Sequence, residues 1–225
     1  MKRTATFLIF FLSAVIGVSG QIKDGRFTED LMQKDCAFET TGRNQFFILE
    51  PGYQLTLESK TGKLVITVLN ETRKIGNVET RIVEENESEN GKTIEISRNF
   101  FAFCKQTGSI YYFGEEVDIY KNGKIDNHEG AWTAEGNNRA GVAMPGLALL
   151  GARYYQEIAP GVAMDRAEII SLSETKTTQA GTFTNCLKTQ ETTPLEPGKE
   201  YKLYAPGIGL IQDEDMLLTK YGFVK

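Results

Sequence analysis

Glycine-containing turns at a regular spacing constrain the fold of this chain more than any other feature. Asn90-Gly91, Thr107-Gly108 and Asn122-Gly123 lie about 15 residues apart, between segments rich in β-branched and aromatic residues. Asn-Gly is the strongest short signal for a hairpin, because a type I′ turn needs a positive φ at both central residues. The spacing therefore predicts an antiparallel meander of long strands.

Proline-glycine turns at Pro160-Gly161, Pro197-Gly198 and Pro206-Gly207 continue this pattern toward the C-terminus. Together the segments predict roughly ten to twelve strands and little helix. The predicted fold class is all-β: an antiparallel meander forming a strongly curved sheet, a barrel or a sandwich, because both faces must be buried. Residues 201–214, YKLYAPGIGLIQDE, are interpreted as a motif of folding and not of chemistry.

The first twenty residues have the pattern of a secretory signal peptide. Lys2 and Arg3 precede an apolar run at residues 4–18, and small residues follow it before Gln21. A retained membrane anchor is the alternative, but the run is shorter than the ~20 residues that a spanning helix needs. We expect residues 1–20 to be removed and the protein to be exported, to the periplasm or the extracellular space. Residues 21–43 then form an N-terminal arm and 44–225 a single β-rich domain.

Charge excludes some classes of partner. The formal net charge is −5 for the whole chain and becomes −7 when Lys2 and Arg3 leave with residues 1–20. No cluster of basic residues remains, which argues against nucleic acid and anionic membrane surfaces as partners. No later segment is long and apolar enough to span a bilayer.

Three cysteines allow one disulfide in an oxidising compartment. We predict the pair Cys36–Cys104, because Cys186 lies in an apolar strand pattern where a free thiol behaves as a small hydrophobe. The alternative is three buried free thiols.

Several runs resemble one protein family. They are NQFFILEPG (44–52), IYYFGEE (110–116), GARYYQEIAPGVAMDRAEI (151–169), AGTFTNCLKTQETTPLEPG (180–198) and YKLYAPGIGLI (201–211). They are similar to a family of exported bacterial β-rich proteins that has no established activity. The resemblance implies a β-rich extracytoplasmic domain and supplies no catalytic residues. Gln45 departs from the family pattern, which favours proline there.

Catalytic motifs are missing from the sequence. His128 is the only histidine and stands beside a turn, where a solvated side chain is the ordinary interpretation. No nucleophile elbow, zinc-protease motif or phosphate-binding loop occurs. We therefore expect neither a cofactor nor a zinc site.

Two carboxylates are candidates for a site. Glu157 and Asp165 straddle the Pro160-Gly161 turn, so a hairpin would bring them within side-chain reach. Such a pair could share a proton or bind Ca²⁺ with backbone carbonyls. Arg153 and Arg166 lie on the same two strands, which favours a structural ion pair.

Aromatic residues complete the candidate site. Neighbouring aromatics in a strand point to opposite faces, so one of each pair lies in the core and the other faces a second layer, a ligand or a partner. The apolar segment 140–150 could cover one mouth of the sheet or form a packed crossover. The candidate ligand-binding residues are Tyr112, Trp132, Tyr155, Glu157 and Asp165.

These patterns predict a non-catalytic binding or carrier module for an apolar or amphiphilic ligand, or for a partner in the cell envelope. One alternative is a structural or interaction protein of the envelope, which predicts an exposed apolar patch instead of a pocket. The other is a carboxylate-based hydrolase acting on glycans, which needs two carboxyl groups in one cleft.

Overall fold

The structure, a computed structural model, describes residues 27–224. The predicted signal peptide at residues 1–20 and the first part of the predicted arm lie outside the described residues. A 3-10 turn covers Gln33–Asp35, and strands make up the remaining regular structure of the described chain. The predicted all-β class with little helix is confirmed.

Eighteen strands form within the described part of the chain. In chain order they are β1 (Phe38–Glu39), β2 (Gly42–Arg43), β3 (Ile48–Leu49), β4 (Tyr53–Glu58), β5 (Gly62–Ile75), β6 (Val78–Glu89), β7 (Lys92–Cys104), β8 (Ile110–Lys121), β9 (Lys124–Asn127), β10 (Trp132–Thr133), β11 (Arg139–Met144), β12 (Arg153–Tyr155), β13 (Glu157–Ile158), β14 (Arg166–Thr178), β15 (Gly181–Thr192), β16 (Glu200–Ala205), β17 (Gly209–Asp213) and β18 (Met216–Phe223). The predicted ten to twelve strands were too few, because two-residue strands are too short to show an alternating pattern.

The hairpin turns have the backbone that their sequences predict. Asn90 and Gly91 have φ angles of 50° and 75°, and Asn122 and Gly123 have 54° and 75°. These positive values at both central residues belong to type I′ turns, which match the twist of the flanking strands. The turns join β6 to β7 and β8 to β9.

Thirteen strands follow one another around a single antiparallel sheet. β14 to β18 are neighbours in chain order, β18 pairs with β4, and β4 to β8 then follow in chain order. β11 and β13 continue beyond β8, while β12 forms the opposite edge beside β14. Only Gln156 separates β12 from β13 in the chain, so the two edges meet and the sheet nearly closes into a barrel.

Glu157 lies where the two edges approach. Its strand pairs with β11 through Ala140, and its backbone N–H donates to the carbonyl of Asp165 at 3.1 Å. The N–H of Gln156 donates to the same carbonyl at 2.7 Å. Since Asp165 directly precedes β14, these hydrogen bonds link one edge of the sheet to the other.

The described part of the arm covers the outer surface of β7 and β8. β1 pairs with β7, and a disulfide joins Cys36 to Cys104, the pair named from the sequence. Phe38 packs edge-on against Tyr111, with ring centroids 5.3 Å apart. These contacts bury Tyr111 on the outer face of the barrel. The next residue along the strand, Tyr112, therefore faces the interior. Cys186, the third cysteine, is buried and free.

Candidate ligand-binding cavity

The interior of the barrel holds a cavity of about 380 Å³. Ligand pockets in proteins start at roughly 300 Å³, so this space is large enough for a small molecule. Inward-facing side chains from most of the strands line it, together with the segment before β4 and the turn before β17. The lining residues are Phe46, Phe47, Ile48, Tyr53, Leu55, Ile66, Val68, Val83, Glu85, Glu95, Ser97, Asn99, Phe101, Tyr112, Glu115, Ala143, Gln156, Glu157, Asp165, Glu191, Lys202, Tyr204, Ile208, Gly209, Leu210 and Asp213.

Polarity changes along the cavity. On β7 the inward residues run from Phe101 through Asn99 and Ser97 to Glu95. The adjacent strands change in the same sense, since Val83 pairs with Asn99 and Glu85 pairs with Ser97. We call the two regions the apolar end and the acidic end.

Aromatic rings form the wall of the apolar end. Phe47 packs edge-on against Phe101, with ring centroids 5.4 Å apart, and Phe101 stacks on Tyr112 at 4.7 Å. The Tyr112 hydroxyl donates to Oδ1 of Asn99, which fixes the ring at the border between the two ends. Trp132 packs edge-on behind Tyr112 at 5.5 Å. These rings together form a continuous apolar surface.

Carboxyl groups dominate the acidic end. Seven of them line the cavity among the described residues, against the single ammonium of Lys202. They are Glu85, Glu95, Glu115, Glu157, Asp165, Glu191 and Asp213. Asp165 both lines the cavity and remains exposed, which places it at the rim.

Lys202 is bound by two of these carboxylates. Its Nζ lies 3.3 Å from Oε2 of Glu191 and 3.7 Å from Oδ2 of Asp213. Glu191 is buried and also accepts from the Thr189 hydroxyl at 3.0 Å and from Nε2 of Gln156 at 3.3 Å. The carboxylate of Glu191 raises the pKa of Lys202 well above its ordinary value, although burial opposes this. These residues form a compact ionic group on one wall.

The other carboxyl groups lack such a counter-ion. Among residues 27–224, no salt bridge forms at Glu85, Glu95, Glu115, Glu157 or Asp165. Burial raises the pKa of Glu85 to about 7, and the charge of Lys202 limits the rise. Burial also raises the pKa of Glu115 to about 7. Burial and the neighbouring Asp165 carboxylate raise the pKa of Glu157 well above its ordinary value. Burial and the neighbouring carboxylates thus favour the protonated form of these groups.

A β-bulge directs Glu115 into the cavity. β8 has one residue more than β7 between the pairs Asn99–Glu115 and Phe101–Tyr112. Regular alternation would place Glu115 and Tyr112 on opposite faces, and the extra residue places them on the same face. Gly114, with φ of 126°, lies at the bulge, in a region that residues with a side chain rarely adopt.

The structure brings together three of the five residues named from the sequence. Tyr112, Glu157 and Asp165 all line the cavity. Trp132 is one layer behind, in contact with Tyr112. Tyr155 is not among the lining residues; it packs edge-on against Phe27 of the arm, with ring centroids 6.0 Å apart.

Arg153 does not form the predicted ion pair with Glu157 or Asp165. Arg153 pairs with Glu168 on the neighbouring strand, with Nε 3.0 Å from Oε2. Arg166 donates to the Thr192 hydroxyl at 3.1 Å and lies over the ring of Phe27. Glu157 thus stays in the cavity without a salt bridge to Arg153.

Sequence reasoning missed most of the acidic end. Residues 84–89 form an acidic run that was not assigned to the site, although alternation directs every second residue of a strand to one face and Glu85 thereby faces the cavity. Residues 201–214 were assigned to folding alone, yet Lys202 and Asp213 come from this hairpin. Glycine inside a strand can mark a bulge, and Gly114 was the available signal for Glu115.

Residues 140–150 divide into two parts. Residues 139–144 form β11, and Ala143 lines the cavity. Leu147, Leu149 and Leu150 follow in a loop and are 72%, 57% and 67% exposed. The loop is therefore an exposed apolar surface.

No three His, Cys, Asp or Glu side chains within residues 27–224 are arranged to hold a metal ion. No helix in that range has the length and apolarity needed to cross a bilayer.

No family model and no curated protein matches this chain, so the family resemblance stays a prediction. One solved structure, a putative lipoprotein from Parabacteroides distasonis, is 13% identical over 80% of this chain and 100% of its own, with a TM-score of 0.41. A score of this size establishes neither a shared fold nor a shared function.

Proposed function

We propose that this protein is an exported, non-catalytic binding or carrier module for a small amphiphilic ligand. The observation that carries the proposal is the cavity of about 380 Å³ with an apolar end and an acidic end. The export part rests on the sequence pattern of residues 1–20 and on the disulfide between Cys36 and Cys104, a bond typical of oxidising compartments.

Packing energetics support a ligand inside the barrel. Phe101 and Leu55 present apolar side chains to the cavity at the apolar end. A bound apolar chain would pack against them and gain roughly 25 cal/mol for each Å² of apolar surface removed from water.

A structural or interaction role is the first alternative, and the exposed leucines at 147, 149 and 150 favour it. Such a role does not explain why the barrel contains a cavity of about 380 Å³. Replacing all three leucines with serine should leave ligand binding unchanged if the cavity is the site.

A carboxylate hydrolase is the second alternative. Glu157 has a raised pKa and shares the cavity with Glu115, and a general acid needs such a raised value. The apolar end favours an amphiphile over a glycan, because side chains such as Leu55 and Phe101 offer no hydrogen bonds to sugar hydroxyls. Incubation with peptidoglycan fragments and chitin oligosaccharides, followed by mass spectrometry, distinguishes the two; cleavage that Glu157→Gln abolishes would establish the hydrolase.

The proposed function is tested by native mass spectrometry and organic extraction of the protein purified from its own host. We expect an amphiphile to co-purify with wild type. Ile66→Trp fills the cavity, whereas Val65→Trp places the same side chain at the neighbouring, non-lining position of β5. The ligand should be lost from the first variant and kept by the second. Wild-type protein without bound material, and without affinity for any amphiphile, would refute the proposal.

A further inference from the structure

We propose that the cavity selects a cationic amphiphile, an alkylamine in chemical class, whose ammonium group lies among the carboxyl groups of the acidic end. The inference rests on the proposed function, since it assumes that the cavity holds a ligand. It adds the sign of the charge on the head group and the end of the cavity at which that group lies.

The charge balance of the wall supports the inference. Lys202 is the one cationic lining side chain in the described chain, and Glu191 and Asp213 already bind it. Five further carboxyl groups have no salt bridge there, as described above. Ionising part-buried carboxyl groups without a counter-ion is costly, and an ammonium group placed between them would offset that cost.

The apolar end defines the rest of the ligand. Phe101 and Tyr112 present stacked rings, and Leu55 and Ile66 lie across from each other on β4 and β5. The Tyr112 hydroxyl donates to Asn99, and the other three side chains have no polar group with which to bind a polar atom on the tail. The tail is therefore a plain hydrocarbon or a small ring system, and the head group determines selectivity.

The arrangement of the carboxyl groups favours an amine over a metal ion. No group of three potential ligands in the described chain is arranged for a metal. Glu85, Glu115 and Glu157 come from three different strands around the wall. Such a spread suits an ion with several N–H donors and an attached chain better than a compact divalent ion, which needs its oxygen ligands at 2.0–2.6 Å.

The experiment uses three probes with the same tail: octylamine, octanol and octanoate. Trp132 is the single tryptophan and contacts Tyr112, so its fluorescence reports on occupancy, and calorimetry gives the affinity. At pH 8 we expect octylamine to bind at least about tenfold more tightly than octanol, which corresponds to about 1.4 kcal/mol. Octanoate should be the weakest of the three.

Variants connect this preference to the acidic end. The triple variant Glu85→Gln, Glu115→Gln and Glu157→Gln should lose the preference for octylamine and keep octanol binding. Glu116→Gln, an exposed neighbour that pairs with Arg73 outside the cavity, is the matched control. Melting curves confirm that each variant is folded; if the triple variant does not fold, Glu85→Gln alone should reduce the preference.

Each outcome has a distinct meaning. Equal affinity for octylamine and octanol, or tighter binding of octanoate, would refute the cationic head group and leave the proposed carrier function intact. Binding of none of the probes, by wild type stripped of any co-purified material, would count against both. Binding of octylamine that persists in Ile66→Trp would place it at the surface and refute the cavity site.

Discussion

Glu115 faces the same cavity as Tyr112, although Tyr112 lies three residues earlier in β8. A β-bulge at Gly114 reverses the alternation of the strand between them. The bulge also lets β10 approach. A Cβ atom at position 114 would lie 2.2 Å from the backbone carbonyl oxygen of Trp132 and 2.7 Å from Cα of Thr133. Only glycine satisfies both the positive φ and the close contact, so one residue positions a carboxyl group and a neighbouring strand.

The first prediction follows from that contact. Gly114→Ala should lower the free energy of unfolding by more than about 2 kcal/mol, because backbone strain and a clash add together. Gly123→Ala is the control, since Gly123 also has a positive φ but no atom within 4 Å of the added Cβ. Urea denaturation measures both. Equal losses in the two variants would show that the close approach of β10 contributes nothing.

The acidic end predicts that stability falls as pH rises from about 5 to 8. The pKa of Glu85 and that of Glu115 are raised from 4.5 to about 7 by burial. Between these values the native state keeps protons that the unfolded chain has lost, so the free energy of unfolding decreases with rising pH. Each group contributes on the order of 2 kcal/mol across that window.

Denaturation at several pH values tests this prediction. Glu115→Gln cannot ionise, so its stability should fall less steeply between pH 5 and 8 than that of wild type. Glu116→Gln lies outside the cavity and should follow the wild-type slope. If wild type gains stability over the same range, the carboxyl groups are ionised in the native state and the prediction is wrong.

Much of the fold could be predicted from local signals. Asn90-Gly91 and Asn122-Gly123 determine their turn type through φ alone, so the hairpins follow from the sequence. Which of two neighbouring aromatics faces inward depends on the register and on what covers the other face. Tyr111 faces outward because the arm, held by the Cys36–Cys104 disulfide, buries it there.

The site was harder to predict, because its members come from segments far apart in the chain. Glu85 and Lys202 are 117 residues apart in sequence, and the pairing of β18 with β4 joins their strands into one sheet around the cavity. Glu157 and Asp165 were found because a single turn separates them. A local pattern can show that a carboxylate faces inward, but it cannot show that several of them share one space.

Lys202 provides a third prediction. Lys202→Met would leave Glu191 buried with hydrogen bonds from Thr189 and Gln156 but without a counter-ion. We expect a loss of about 3 kcal/mol in the free energy of unfolding, because breaking a buried ion pair leaves an uncompensated charge.

Two further variants calibrate that loss. Lys63→Met removes a pair with Glu58 in which both side chains are over a third exposed, and it should cost less than about 1 kcal/mol. The double variant Lys202→Met, Glu191→Gln should recover most of the stability. Chemical denaturation compares all of them. A cost at Lys202 no greater than that at Lys63 would mean that the ionic group is solvated.

The disulfide gives a fourth prediction. Cys36 and Cys104 are 68 residues apart, and their bond holds the arm over β7 and β8. Reduction, or Cys36→Ala, should lower the free energy of unfolding by roughly 2–4 kcal/mol through the entropy of the unfolded chain. Cys186→Ala should respond to reductant as wild type does, since Cys186 is free. A wild-type melting temperature unaffected by reductant would refute the role of the bond.

The last prediction joins the pKa values to the proposed ligand. Octylamine binds through its ammonium group, which like that of lysine stays protonated well above pH 8. The carboxyl groups must ionise to attract it, and Glu85 does so near pH 7 while facing Lys202, Asp213, Glu95 and Glu87. The affinity for octylamine should therefore rise with pH between about 5 and 8, and that for octanol should stay constant.

Proton release on binding tests the same prediction with the wild-type protein alone. If the amine binds to carboxyl groups that were protonated at pH 7, binding must expel protons into the buffer. Calorimetric heats in phosphate and in Tris should then differ, because the two buffers take up a proton with different enthalpies. Equal heats, together with an affinity for octylamine that does not change with pH, would mean that the ammonium group does not contact Glu85 or Glu115, and the acidic end would lose its assigned role.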